Sequence, residues 1–254
     1  MLTARIETYC HQGGSGPFLR DVSLDLREGE VFCLLGPSSV GKTTILGILL
    51  GATRGISRAS IQYHSTGLVL SPLVARRAGL VGVSPTGAPM VPWLSMHENL
   101  LLPHLLNPKI RAPKDETLRG LLNRLALAEN HLSLRPHEVS EGTRHRFALA
   151  RALLFDQPFL FLDEVFTGLD EPTADLIAKA LRDHVTGTRA TCLLISHDLF
   201  RAREVSDVLA VLMGNRTLSI MPPGATDEQL HRKLNEALQQ LVQEEIGAHT
   251  GGSQ

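Results

Sequence analysis

Between Val139 and Asp170 three segments follow in close succession: VSEGTRHRFALARAL, the apolar run FLFLDE, and the turn TGLD. A helix-like segment that leads into a buried, acid-ended strand requires a sheet covered by helices, the layout of an α/β fold. Upstream, Gly36-Pro37-Ser38-Ser39-Val40-Gly41-Lys42-Thr43 fits the spacing GxxxxGK[ST] and directly follows the continuous apolar run Val31 to Leu35. A buried strand, a glycine-rich loop and a helix in that order form a phosphate cradle. The glycines let backbone N–H groups wrap phosphate oxygens, Lys42 reaches the outer phosphates, the Thr43 hydroxyl is a magnesium ligand, and Thr44 continues the cradle into the helix.

Asp163 ends the run Phe159 to Leu162, which puts its carboxylate at the tip of a buried strand, where magnesium coordination follows. Glu164 comes next and is placed to orient or polarise an attacking water. Two adjacent acids alone would read as surface solvation or a helix cap. Beside a phosphate loop the catalytic reading wins.

The rest of the chain alternates strand and helix. Leu2 to Tyr9 and Leu19 to Arg27 read as half-buried strands joined by a glycine-rich hairpin loop from His11 to Pro17. Ile56 to Tyr63, Gly79 to Val83, Thr191 to Ile195 and Val208 to Leu212 read as further strands. Lys42 to Leu50, Met96 to Leu106, Lys114 to Ala128 and Pro172 to Val185 read as helices, and SPTGAPMVPW as irregular. Right-handed crossovers then give a parallel sheet. From Thr226 to Ile246, Leu230, Leu234, Leu238 and Leu241 recur on a helical period behind a Thr226/Gln229 capping box. That helix packs on its own domain or meets a partner.

Composition excludes several classes. The 25 lysines and arginines balance 26 acids, so bulk charge gives no drive towards nucleic acid or an anionic membrane. Cys10, Cys33 and Cys192 lack metal-ligand spacing, and the last two sit in apolar strands, which suits a reduced cytosolic compartment. MLTARIETYC does not read as a signal peptide, and no apolar run is long enough to cross a bilayer. A cytoplasmic protein is expected, and one that works at a membrane only from its surface.

The order of phosphate loop, VSEGTRHRFALARAL, FLFLDE, TGLD and ISHD, spread over nearly the whole chain, resembles the nucleotide-binding subunit of an ATP-binding cassette (ABC) transporter. The resemblance implies a P-loop ABC ATPase fold: a mixed RecA-like core sheet, an N-terminal antiparallel β subdomain and an inserted α-helical subdomain at about 86–156. One domain over 1–246, ending in the amphipathic helix at about 226–246, and a disordered tail over 247–254 are expected. It implies ATP and Mg²⁺ as cofactors and a head-to-tail dimer in which Ser140 and Gly142 contact the partner's γ-phosphate. Asp170 would lie in the loop linking the two sites, and His197 would be the switch histidine on the γ-phosphate. Tyr9 is similar to the aromatic that stacks on adenine, although a core or surface tyrosine is an open alternative and His11 also offers a flat face. Pro92-Trp93-Leu94 with Glu98-Asn99-Leu100 resembles the importers of the nitrate, sulfonate and taurine type, where this region faces a membrane subunit. Pro-Trp as an apolar plug stays open.

The pattern departs at two places. The glutamine that bridges magnesium and the helical subdomain is replaced by Thr86 or Ser84, depending on which side one counts from, and the first signature glycine has become Glu141 in Val139-Ser140-Glu141-Gly142-Thr143. A carboxylate near a triphosphate opposes closure by a few kcal/mol at an effective dielectric near 20, unless Glu141 turns away or pairs with Arg144 or Arg146. Val165 replaces the proline after the catalytic glutamate, a mild change.

Two functions therefore stand. One is an ATPase subunit energising a transporter, with permease subunits, a second ABC ATPase subunit and a solute-binding protein as partners and no nucleic acid. The other is a hydrolysis-impaired regulatory subunit paired with an intact cassette. A cassette ATPase acting on DNA or ribosomes ranks last, since the long coiled-coil insertion, the tandem cassettes and a basic surplus are missing.

Overall fold

Alternating and continuous apolar strands sort into different sheets. The computed structural model describes residues 1–13 and 17–250. The alternating strands β1 (Leu2–Cys10) and β2 (Leu19–Leu26) pair antiparallel, and β4 (Ile56–Ser65) and β5 (Leu68–Leu70) extend them into a sheet of order β2-β1-β4-β5. The continuous runs form the centre of a six-stranded sheet made of β3 (Val31–Leu35), β6 (Val81–Ser84), β7 (Phe159–Asp163), β8 (Thr191–Ile195), β9 (Val208–Leu212) and β10 (Leu218–Ile220). Its order is β10-β9-β3-β8-β7-β6, parallel throughout except at β9–β10.

Every residue of β3, β7 and β8 is buried, as a parallel sheet covered on both faces demands. Alternation decides which cover each side chain meets. Val31, Cys33 and Leu35 of β3 face one core with Leu160, Leu162, Cys192 and Leu194. Phe32 and Leu34 face the other core, shared with the antiparallel sheet. Burial pushes the Cys33 thiol up to about 12 and raises that of Cys192, so both are inert packing groups.

Eight helices complete the described chain: α1 (Lys42–Leu49), α2 (Pro72–Arg77), α3 (Met96–Leu106), α4 (Asp115–Arg124), α5 (Glu141–Leu153), α6 (Glu171–Thr188), α7 (Leu199–Val205) and α8 (Asp227–Thr250). Between β6 and β7, α3 to α5 form the expected helical insertion, with Leu118, Leu121, Leu122, Leu125 and Phe147 packed into the first core. Its helix starts are set locally. Ser95 and Glu98 make a reciprocal capping box on α3, and Ser140 caps α5 by accepting from Thr143 N at 3.2 Å.

Several boundaries differ from the sequence expectation. The helix predicted to reach Ala128 stops at Arg124, because Ala126 takes a left-handed φ of 47° and the chain continues as two short 3₁₀ turns. α2, α7, β5 and β10 were not expected, being too short for periodicity to show. The Thr226/Gln229 box is present, with Thr226 N donating to Gln229 Oε1 at 2.8 Å. The helix behind it runs to Thr250, past the expected end at 246 and into the stretch expected to be disordered. Residues 251–254 lie outside the described residues, as do 14–16 of the predicted hairpin loop.

Candidate functional site

The turn from β3 into α1 has the loop geometry that the phosphate-cradle spacing leads one to expect. Gly36 has φ 148°, and a Cβ there would lie 2.7 Å from the Leu212 carbonyl oxygen, so this position excludes any side chain. Gly41, with φ 114°, admits the Phe18 ring, whose Cε1 would be 2.9 Å from an added Cβ. A cavity of about 290 Å³ opens above the loop, lined by Phe18, Ser38, Ser39, Gly41, Lys42, Thr43, Thr44, Thr86, Asp163 and Glu164. Gly36, Pro37 and Val40 do not line it: Gly36 and Pro37 line a neighbouring pocket with His197 and with Leu234 and Leu238 of α8, and Val40 is fully buried.

Lys42 curls back to donate to the Gly36 and Pro37 carbonyls at 2.8 and 2.9 Å. Burial pulls its pKa down, and the Glu164 and Asp163 carboxylates pull it back up. Asp163, at the end of β7, receives the Thr43 hydroxyl on Oδ2 at 3.4 Å. Its Oδ1 is buried with no hydrogen-bond partner. Burial pushes this carboxyl above the usual carboxylate range; Thr86, then Thr43 and Lys42, oppose that rise, and Glu164 adds to it. A buried, unpartnered carboxylate oxygen beside a threonine hydroxyl is a donor set that suits a hard cation.

Glu164 follows in a left-handed conformation, φ 58°, held by its N–H to the Ile195 carbonyl at 2.9 Å. That turn aims the side chain towards β8's end. There Glu164 Oε2 accepts from His197 Nδ1 at 2.5 Å and from the Thr167 hydroxyl at 3.3 Å. The structure thus joins two residues that lie 33 apart in sequence, and β7–β8 pairing up to Asp163 and Ile195 is what aligns them.

Of the two candidates for the missing glutamine, Thr86 lines the cavity, while Ser84 is buried inside β6. Ser140, Glu141, Gly142 and Asp170 do not line it. Ser140 and Asp170 are exposed and cap α5 and α6, and hydrogen bonds from Thr173 hold the Asp170 carboxyl below its usual range. Glu141 points to solvent with its side chain 73% exposed. It meets His145 at 3.9 Å and neither of the arginines expected to pair with it; Arg146 instead donates to the Leu125 and Ala126 carbonyls.

Tyr9 is corrected. It is 3% exposed, belongs to the second core, and does not line the cavity. A β-bulge between Ile6 and Thr8 reverses the strand's alternation, so that Tyr9 joins Leu2, Ala4 and Ile6 on the buried face. The aromatic that reaches the cavity is Phe18, with His11 packed against it at 4.4 Å between centroids. Sequence reasoning missed Phe18; its position next to Leu19, which pairs with Tyr9 across the hairpin, was the available signal.

The Pro-Trp segment is an organised, open surface. Asn99, fully buried, accepts from Val91 N and donates to the carbonyls of Val91, Leu94 and Ser95. Trp93 is 74% exposed, which rules out an apolar plug. Arg151 on α5 donates to the Pro89 carbonyl at 2.9 Å, tying this segment to the helix that Ser140 caps.

Comparison with known proteins agrees with this geometry. Residues 19–167 match the ABC transporter family. The chain is 31% identical over 222 residues to the sulfate/thiosulfate import ATP-binding protein of Xylella fastidiosa, covering 86% of this chain and 63% of that protein. It is 31% identical over 219 residues to an aliphatic sulfonates import ATP-binding protein of Burkholderia lata, covering 86% and 73%. It therefore spans less than two thirds of the length of the sulfate relative. In fold it matches the dimeric structure of an ATP-binding cassette in a post-hydrolysis state bound to ADP and Pi, with a TM-score of 0.74 at 22% identity, over 89% of this chain and 100% of that one.

Proposed function

Because the chain belongs to the ABC transporter ATP-binding family, we propose that it binds and hydrolyses ATP as the subunit that energises a membrane importer, with ATP closing a dimer and hydrolysis reopening it. The observation that carries this reading is the joining of Glu164 to His197 at the edge of a cavity floored by Lys42, Thr43 and Asp163. Thr43 and Asp163 would hold Mg²⁺, which neutralises charge on the outer phosphates when bound. Lys42 swings from its two carbonyl partners to the phosphates. Glu164, held on Oε2 by His197, keeps Oε1 for the attacking water, and His197 fixes that carboxylate's direction. Phe18, with His11 behind it, supplies the flat face for adenine.

Ser140, Gly142 and Asp170 complete the reading from outside the chain's own cavity. Ser140 and Asp170 are exposed and Gly142 is half-buried, which leaves them free to serve a second cassette subunit's ATP, as a head-to-tail dimer requires. Exposed Trp93 faces the permease, and the importer direction follows from that surface together with the importer names of the relatives. Among the described residues no helix is long and apolar enough to cross a membrane, so the permease subunits provide the path. The subunit would sit on the inner face of the membrane beside them, with a solute-binding protein delivering the cargo.

A second reading has its own support. Glu141 in the signature and Thr86 in place of glutamine weaken the composite site, which favours a regulatory subunit paired with an intact cassette. Light scattering on Glu164→Gln with Mg-ATP separates the two. A monomer-to-dimer shift on adding ATP supports the homodimeric motor. A chain that binds ATP and stays monomeric supports the regulatory reading.

A further inference from the structure

Arg216, in the turn between β9 and β10, links α8 to the phosphate loop beside the nucleotide cavity. That turn is pressed onto α8: a Cβ on Gly214 would lie 2.2 Å from Leu241 N and 2.5 Å from the Ala237 carbonyl oxygen. Arg216 takes a left-handed φ of 64°, which sends its side chain back over the phosphate loop. There the guanidinium makes three contacts. Nη1 donates to the Ser39 carbonyl at 3.1 Å, Cζ lies 4.7 Å from the Phe18 ring centroid, and Nε stands 3.6 Å from Glu244 Oε2 on α8. The side chain is 16% exposed.

A planar fork of donors is suited to this combination, because it can stack on an aromatic face while its edges bond a carbonyl and a carboxylate. Within the phosphate loop Lys42 bonds the Gly36 and Pro37 carbonyls, whereas Arg216 bonds that of Ser39. Arg216 also bears on Phe18, which His11 contacts at 4.4 Å between centroids. That ring is pinned between Gly41, where only glycine leaves room, and the guanidinium. Phe18 also joins the phosphate cavity to a second cavity of about 360 Å³, lined by Pro17, Phe18, Arg20, Asn215, Arg216 and Glu244.

We propose that Arg216 is a positioning residue for the base end of the nucleotide, and that α8 sets it through Glu244, which makes the C-terminal helix part of the nucleotide site. The proposal rests on the reading of the phosphate loop as an ATP site. It assigns α8 a task at this site that neither a packing helix nor a partner-binding helix would have.

The test compares a ligand with a base to one without. N-methylanthraniloyl-ATP bound with Mg²⁺ is displaced by ATP and, separately, by tripolyphosphate, for the wild type, Arg216→Ala, Arg216→Lys and Glu244→Gln, with the melting temperature of each chain measured without ligand. Arg216→Ala is expected to weaken ATP about tenfold, the size of one cation–π platform contact, and to leave tripolyphosphate within about twofold. Arg216→Lys is expected to recover less than half of that loss, because it restores charge without the planar face. Glu244→Gln is expected to weaken ATP about threefold, again without effect on tripolyphosphate. Equal losses for both ligands, no loss for ATP, or full rescue by lysine would each overturn the proposal, and an unchanged ratio of the two affinities with a lowered melting temperature would reduce Arg216 to a structural role. If the wild type binds neither ligand and Lys42→Ala changes nothing, the ATP-site reading itself fails, and the proposal with it.

Discussion

Replacing Glu141 by glycine should move stability and dimer closure in opposite directions. In the isolated chain Glu141 is the first residue of α5, where a carboxylate favours the helix dipole by about 0.3–1 kcal/mol, and glycine lowers helix propensity by about 1 kcal/mol more. A loss of about 1.5 kcal/mol corresponds to a melting temperature lower by roughly 3–6 °C in a chain of this size. In the closed head-to-tail dimer proposed above, the same carboxylate would approach the partner's triphosphate. At a separation of about 6 Å, one unit charge on each side repels by about 0.7 kcal/mol in water and about 3 kcal/mol at an effective dielectric of 20, or roughly 3- to 100-fold in association per site. Neither arginine expected to neutralise Glu141 does so, and His145, whose pKa burial lowers, offers little charge at neutral pH. The assay is sedimentation velocity with Mg-ATP on Glu164→Gln alone and with Glu141→Gly added, beside thermal melts without nucleotide. A lower melting temperature with no gain in dimer would refute the charge argument, as would a gain that persists unchanged at 1 M salt, where the Debye length falls to about 3 Å.

Three further outcomes follow from the site. Asp163→Asn removes a buried carboxylate whose Oδ1 is unpartnered, and should raise the melting temperature of the nucleotide-free chain by about 2–4 °C while abolishing the Mg²⁺ dependence of ATP binding. The sign with pH is fixed by the raised pKa: the folded state disfavours the charged form, so this gain is full at neutral pH and shrinks as pH falls through the raised value, which melts at a series of pH values will show. Phe18→Ala should weaken ATP about 5- to 100-fold in equilibrium titration, the worth of one base–aromatic stack, whereas Tyr9→Ala should leave the affinity of the folded chain unchanged and cost about 3–5 kcal/mol in denaturant unfolding. Gly214→Ala forces a Cβ into the backbone of α8 and should release that helix, read as faster amide exchange across Leu230 to Leu241 with the core strands unchanged.

What the sequence showed, and what it hid, follows from the range of the forces involved. The phosphate loop was legible because it is local: its glycines, its lysine and the buried strand before it lie within one short stretch. Asp163 and Glu164 were legible because a strand buried on both faces shows as a continuous apolar run, and the acids mark its end. Tyr9 was misplaced because a β-bulge, set by pairing with β4, reversed the alternation after Ile6. Phe18 and Arg216 were invisible for a related reason: 198 positions separate them, and only the closing of the hairpin onto the phosphate loop and the turn after β9 brings them together. Glu141's departure from the pattern was legible, but its partner was not, since Arg146 was drawn off to the Leu125 and Ala126 carbonyls left open where α4 ends.

The central claim is that Glu164, aimed by His197, drives hydrolysis of ATP held over the phosphate loop. The most direct measurement is single-turnover release of labelled phosphate from Mg-ATP, with enzyme in excess, for the wild type and for Glu164→Gln at matched occupancy. Loss of a general base corresponds to about 10²- to 10⁴-fold, so a drop of at least about a hundredfold with ATP binding intact is the expected result. Equal rates in the two chains would contradict the account.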